Sequence, residues 1–245
     1  MKEQLYTIPV NDAFATQGEC PICAMYQELQ KNAVEFAMGP SYMEDDIREV
    51  TDKIGFCTEH MRQILGMENK LGAALVLHSH MQKTNKDIKE LAASATGKSG
   101  LFKKKDISPL TNYLQTLNHS CFVCNRVEDT FKRYIRTIHY LWEKDDAFKQ
   151  KYGSSKGFCT VHYQALIEEA GKNLSGQNLD NYVEETNRIY LENMERVTAE
   201  LEWFIDKFDY RHKDEPWGNS KDALPRAVVK TCTEEGNRTE FKKPN

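Results

Sequence analysis

Gly55-Phe-Cys-Thr-Glu-His60 and Gly157-Phe-Cys-Thr-Val-His162 are one phrase written twice with a single change, and each copy follows a Cys-x2-Cys pair. Cys20 and Cys23 precede the first copy, and Cys121 and Cys124 precede the second. Cys20 and Cys121 are 101 residues apart, Cys57 and Cys159 are 102 apart, so one insertion relates the halves. Taken in chain order, the quartets are Cys20, Cys23, Cys57 and His60, then Cys121, Cys124, Cys159 and His162. Three thiolates and an imidazole are a common tetrahedral donor set of structural zinc, and two Zn2+ are the expected cofactors. A filled coordination sphere leaves no position for water or substrate, which points to a structural role. Iron–sulfur clusters on the same residues are the alternative, disfavoured because cluster ligation is usually all cysteine. A thioredoxin-like redox pair would need a βαβ setting that neither motif has.

Outward from these motifs the apolar period is helical, with no convincing alternation of β-branched residues. The expected class is therefore all-α, a helical bundle of two tandem Cys-x2-Cys, helical-hairpin, Cys-x2-His repeats, each followed by a long helix. Ile22, Met25, Leu29, Ala33 and Phe36 mark a first helix ended by Gly39-Pro40. Met43, Ile47, Val50 and Ile54 mark a second, with Ser41 as its expected N-cap. At 1.5 Å per residue, segments 24–38 and 41–54 would each run about 21 to 22 Å, an out-and-back hairpin that returns Cys57 to Cys23. Leu71, Ala74, Leu75, His78, Met81, Ile88 and Leu91 trace the expected buried face of a long helix. In the second half, Val127, Phe131, Tyr134, Ile138 and Trp142 mark one helix and residues 147–152 a short return. Leu179, Tyr182, Thr186, Ile189, Asn193, Val197, Leu201, Phe204 and Phe208 keep a 3.6 period along the last long helix, and a short amphipathic piece covers residues 222–230.

The expected domains are a first repeat over residues 1–95, a linker over 96–106, a second repeat with its long helix and a clasp over 107–232, and a frayed tail over 233–245. The 245 residues, 40% apolar, can fill one large or two small cores without metal. A formal charge of −4 disfavours nucleic acid as a partner. The first residues lack a signal-peptide core and no apolar run would span a bilayer, so a cytoplasmic location is expected, with no membrane partner. There, six of seven cysteines in matched sets argue for metal over disulfides.

Cys20-Pro-Ile-Cys23, both Gly-Phe-Cys-Thr phrases and the ending Trp203-Phe-Ile-Asp-Lys-Phe-Asp-Tyr-Arg211 through Pro216-Trp-Gly218 together resemble a family of uncharacterised bacterial proteins, a domain of unknown function. The resemblance spans residues 8–230 and implies a metal-bearing helical protein without implying a reaction. It departs at Cys121-Phe-Val-Cys124, which lacks the proline, so that loop is expected to be built differently around the same ligands.

Outside the metal motifs, the candidate surface site is Asp206, Asp209, Tyr210, Arg211, His212 and Trp217, since aromatics with arginine are frequent at interfaces. The competing reading is a clasp in which Trp217 folds back on the helix while the charges stay solvated. Gly97-Lys-Ser99 ends like a P-loop, but Ala92 stands where that pattern needs glycine and a helix precedes it. Lys103 to Lys105 read as a solvated linker. His78 and His139 read as core histidines, His119 as a substitute ligand that the repeat argues against, and Cys232 as a bystander. With no catalytic constellation in view, the expected function is a non-catalytic module for a protein partner. The alternative is a metal-dependent enzyme or iron–sulfur redox protein.

Overall fold

The computed structural model describes residues 6–96 and 106–233, and no strand occurs among them. In chain order the helices are α1 (Thr7–Ala15), α2 (Pro21–Met38), α3 (Asp45–Ile54), α4 (Thr58–Gly66), α5 (Lys70–Thr96), α6 (Ser108–Asn118), α7 (Phe122–Lys144), α8 (Asp146–Gly153), α9 (Thr160–Asn173), α10 (Gly176–Asp206) and α11 (Ala223–Cys232). Almost all of the expected linker, with Gly97-Lys-Ser99 and Lys103 to Lys105, and all of the tail beyond Thr233 lie outside the described residues. No described helix is long and apolar enough to cross a membrane.

The chain splits into two compact units, Met1–Glu28 with Thr130–Asn245, and Leu29–Asp129. Their boundaries fall inside α2 and α7, not at residues 96–106 as the sequence suggested. Helix lengths give the physical reason. The 18 residues of α2 rise about 27 Å and the 10 of α3 only about 15 Å, so the return stops well short of the start of α2. The 23 residues of α7 rise about 35 Å against about 12 Å for the 8 of α8. Neither hairpin brings its own Cys-x2-His back to its own Cys-x2-Cys.

In the first unit, α10 lays Tyr182, Thr186, Ile189 and Val197 into a core shared with Ile135, Ile138, Phe148, Tyr152, Phe158 and Leu166. The Tyr152 hydroxyl lies 3.0 Å from that of Tyr182 and 2.7 Å from that of Thr186, so these buried oxygens satisfy one another. Trp142 Nε1 donates to Glu185 at 2.8 Å. His139 is a core histidine, as expected: Asn173 donates to its Nδ1 at 2.9 Å and its Nε2–H donates to the Leu166 carbonyl at 3.2 Å.

In the second unit, α5 packs along α3 and touches α4 and α6. Its buried face is not the expected one. Ala73 and Val76 face inward, while Leu71 is 68% and Met81 60% exposed, and His78 is exposed rather than core. The burial on this helix is carried by small side chains, so a stripe of large apolar residues did not mark its inward face. Met43 and Val50 are also exposed, and Thr51 is the buried residue of α3. Glu44, not Ser41, is the N-cap of α3, with Asp45 and Asp46 favourably placed in its first turn. Ser41 instead donates its hydroxyl to the Phe36 carbonyl near the end of α2.

Candidate metal centres

Both Gly-Phe-Cys-Thr phrases open on a glycine of positive φ. Gly55 has φ 62° and ψ −152°, and Gly157 has φ 78°. A side chain is strained in that conformation, and neither position has room for one. A Cβ on Gly55 would stand 2.7 Å from the His80 ring, and one on Gly157 would stand 3.0 Å from the Asn193 Cβ and 3.1 Å from the Ile189 carbonyl. The turn delivers Cys57 and Cys159 to the N-cap positions of α4 and α9, with His60 and His162 in the first turns. Cys20 and Cys121 immediately precede α2 and α7, with Cys23 and Cys124 in the first turns. All eight residues thus stand at helix N-termini, where the partial positive charge favours thiolate.

The quartets that assemble are crossed relative to the chain-order reading. Cys20 and Cys23 meet Cys159 and His162 in the first unit, and Cys121 and Cys124 meet Cys57 and His60 in the second. Within each group the ligand atoms lie within 4.8 Å of one another. In the first, Cys23 and Cys159 sulfurs are 3.8 Å apart, and the His162 Nδ1 lies 3.5, 3.4 and 3.3 Å from Cys20, Cys23 and Cys159. In the second, Cys57 and Cys124 sulfurs are 3.8 Å apart, and the His60 Nδ1 lies 3.2, 3.4 and 3.3 Å from Cys57, Cys121 and Cys124. A tetrahedron with Zn–S of about 2.3 Å and Zn–N of about 2.0 Å has edges of about 3.8 and 3.5 Å, so the donors fit one such ion.

With protons as the only counter-ions, each quartet shares its charge unevenly. Burial opposes the Cys20 thiolate, but hydrogen bonds with Cys159, Cys23 and His162 hold its pKa well below the thiol range. Cys23 is pushed up by hydrogen bonding with Cys159 and Cys20 and by burial. Cys57 is held far down by hydrogen bonds with Cys121 and Cys124, and Cys124 is raised by hydrogen bonding with Cys121 and Cys57. Burial opposes both imidazolium forms, yet hydrogen bonds to the cysteines raise His60 to about 9 and His162 to about 10. A divalent ion held by either quartet would replace these protons and let all three of its thiols ionise together.

The loops around each quartet are tied differently. In the second unit, the Ser120 hydroxyl donates to the Ile54 carbonyl at 2.7 Å and Phe122 N–H to the Gly55 carbonyl at 2.9 Å. Pro21 occupies the position of Phe122 in the first unit and has no N–H to give. There the buried Lys230 of α11 donates to the carbonyls of Glu19, at 2.7 Å, and of Lys156, residues that precede the two ligand turns. Its ammonium also lies 3.3 Å from the Glu19 carboxylate, which Arg196 holds at 2.6 Å. Burial tends to raise the Glu19 pKa, but Arg196 and Lys230 bring it below the ordinary value. The repeated glycines were the one sequence signal of these turns, whereas nothing in the pattern of residues 222–230 singled out Lys230.

Residues 206–217 take the clasp arrangement. Lys207 donates its ammonium to the carbonyls of His212, Lys213 (3.1 Å) and Glu215 (2.6 Å), and Trp203 Nε1 donates to the Pro216 carbonyl at 3.1 Å. Trp217 packs on Phe204, ring centroids 5.9 Å apart. Of the six named residues, Asp209 and Arg211 pair at 2.6 Å, His212 pairs instead with Glu215 at 2.9 Å, and Asp206 and Tyr210 are exposed. His119 and Cys232 are exposed and belong to neither quartet.

No curated protein and no solved structure matches this chain. A sequence profile of the family of unknown function DUF6062 matches residues 1–238, and the chain belongs to that family.

Proposed function

We propose that this protein is a non-catalytic, zinc-stabilised helical scaffold that binds a protein partner, with one zinc ion in each quartet. The carrying observation is that two complete four-donor groups assemble at single-ion spacing from residues far apart in the chain. Four protein donors close a tetrahedron, the arrangement of structural rather than catalytic zinc. All four ligand atoms of each group lie within 4.8 Å of one another, whereas a multi-iron cluster spreads its four ligands over more than one iron, which favours zinc over the iron–sulfur alternative. The two halves are read as copies of one helical plan that have exchanged ligand pairs.

For the partner, the support is the end of α10. Phe208 is 76% and Tyr210 is 83% exposed, beside Arg211 and the clasp. Exposed aromatics next to arginine suit a protein surface, and the chain's acidity argues against nucleic acid. Clustered free thiols fit a reducing cytoplasm.

Elemental analysis and a visible spectrum on protein purified without oxygen test the metal assignment. Two zinc ions per chain and no colour are expected, and iron with sulfide would overturn it in favour of a redox protein. Phe208→Ser with Tyr210→Ser should keep both zinc ions and lose the captured partner. Unchanged capture would overturn the surface assignment.

A further inference from the structure

The two quartets are matched in chemistry and unmatched in access. Cys57 corresponds to Cys159 and Cys124 to Cys23, and the Cys57–Cys124 and Cys159–Cys23 sulfurs are each 3.8 Å apart. All four ligands are buried in the first unit, whereas Cys57 and Cys124 are both partly exposed in the second. The covering elements explain the contrast. α9 packs against both α10 and α11, and the rings of Tyr26 and Phe131 lie 5.9 and 5.6 Å from the His162 ring. α4 is backed by α5. A second observation points the same way: His60 Nε2 is buried without a hydrogen-bond partner among the described residues. Metal-bound histidines usually donate that N–H to an outer partner, and losing such a partner typically weakens binding about 10- to 100-fold.

We infer that Cys57 and Cys124 form an oxidant-sensitive modification site, at which a hydroperoxide converts two metal-bound thiolates into a disulfide and releases the ion of the second unit. The inference rests on the proposed metal reading and adds to it a division of labour, with the first-unit quartet closed and the second reactive. The reaction balances: one thiolate attacks the peroxide and the O–O bond breaks, giving a sulfenic acid. The second thiolate then displaces its hydroxide and forms the S–S bond. Two electrons pass from sulfur to oxygen, two protons are consumed, and with hydrogen peroxide two waters and one free zinc ion leave. Proximity is equal in the two quartets, so exposure decides which reacts.

The test is graded hydrogen peroxide on the intact holoprotein, with metal content measured beforehand, released zinc followed by a chromogenic chelator and cysteine pairs identified by differential alkylation and mass spectrometry. One zinc ion should leave at least about tenfold faster than the other, together with a Cys57–Cys124 disulfide. Cys57→Ser should abolish the fast release, and Cys23→Ser should keep it and remove the slow one. Two ions leaving at one rate, or a Cys23–Cys159 disulfide formed first, would sink this inference alone. Protein that carries no metal before oxidant is added would sink the metal reading and the inference with it.

Discussion

The ammonium of Lys230 lies 2.7 Å from the carbonyl oxygen of Glu19, the residue immediately before the ligand Cys20, although 211 residues separate them. The same ammonium reaches the Lys156 carbonyl, so one side chain from α11 ties the approaches to both halves of a quartet. In the second unit that tie is made by Ser120 and a backbone N–H. Desolvation lowers the Lys230 pKa, while the charges of Glu19 and Cys20 pull it back up. A quartet with three thiolates, one neutral imidazole and one Zn2+ carries a single negative charge, and a buried cation beside it offsets that charge.

Lys230→Met should therefore be costly. It strips the buried Glu19 carbonyl and the more open Lys156 carbonyl of a donor and leaves Glu19 without one of its counter-charges. Breaking a buried pair by removing one partner typically costs about 3 to 5 kcal/mol. Urea unfolding should show a loss in that range, and chelator competition should show faster zinc loss from the Cys20 quartet with the other unchanged. A loss below about 1 kcal/mol would mean that the tie carries no more energy than a surface ion pair.

Gly55→Ala and Gly157→Ala test the ligand turns. Each introduces a side chain where φ is positive and where neighbouring atoms stand closer than ordinary contact. A strained backbone position costs about 1 to 3 kcal/mol before any clash is counted. Both variants should bind zinc less tightly, Gly157→Ala at the Cys159 quartet and Gly55→Ala at the Cys57 quartet. Gly66→Ala, where nothing stands within 4 Å of the added atom, is the control and should change neither.

The fold class and the eight clustered residues were legible because helical periodicity and repeated ligand spacing are local signals. The partnership between motifs was not. Chain order favours Cys23 with Cys57, and only the shortfall of α3 against α2 reveals that this return cannot be completed. Periodicity also failed on α5, where Ala73 and Val76 mark the buried face but large residues drew the reading to Leu71 and Met81. It succeeded along the middle of α10, whose Tyr182, Ile189 and Val197 are both large and buried, and failed past its end, where Phe208 is 76% exposed. Lys230 was invisible because a lysine in a short amphipathic helix ordinarily points to water.

His139 gives a pH signature separate from the metal ligands. Burial lowers its pKa to about 4 from an ordinary 6.5. Between those values the unfolded chain takes up a proton that the folded protein refuses, so stability is full above pH 6.5 and falls as pH drops toward 4. The slope for one proton is about 1.4 kcal/mol per pH unit, and the whole window amounts to about 3 kcal/mol. Metal ligands also titrate on acidification, so the wild type must be compared with His139→Asn. Unfolding free energies between pH 7 and 5 should fall more steeply in the wild type, and parallel curves would show that this imidazole is not held neutral.

Double substitutions decide the crossed pairing. Cys20 and Cys159 belong to one quartet, while Cys20 and Cys57 belong to different ones. Cys20→Ser with Cys159→Ser should therefore cost one zinc ion and leave the quartet of Cys57, His60, Cys121 and Cys124 intact. Cys20→Ser with Cys57→Ser should cost both. Pairing in chain order reverses the two results, so the zinc counts distinguish the arrangements even if stability falls in every variant. Structural zinc is typically worth about 10 kcal/mol or more to folding in small zinc-binding peptides. The first variant should keep a cooperative melt that EDTA lowers further, while the second should melt lowest and respond to EDTA least.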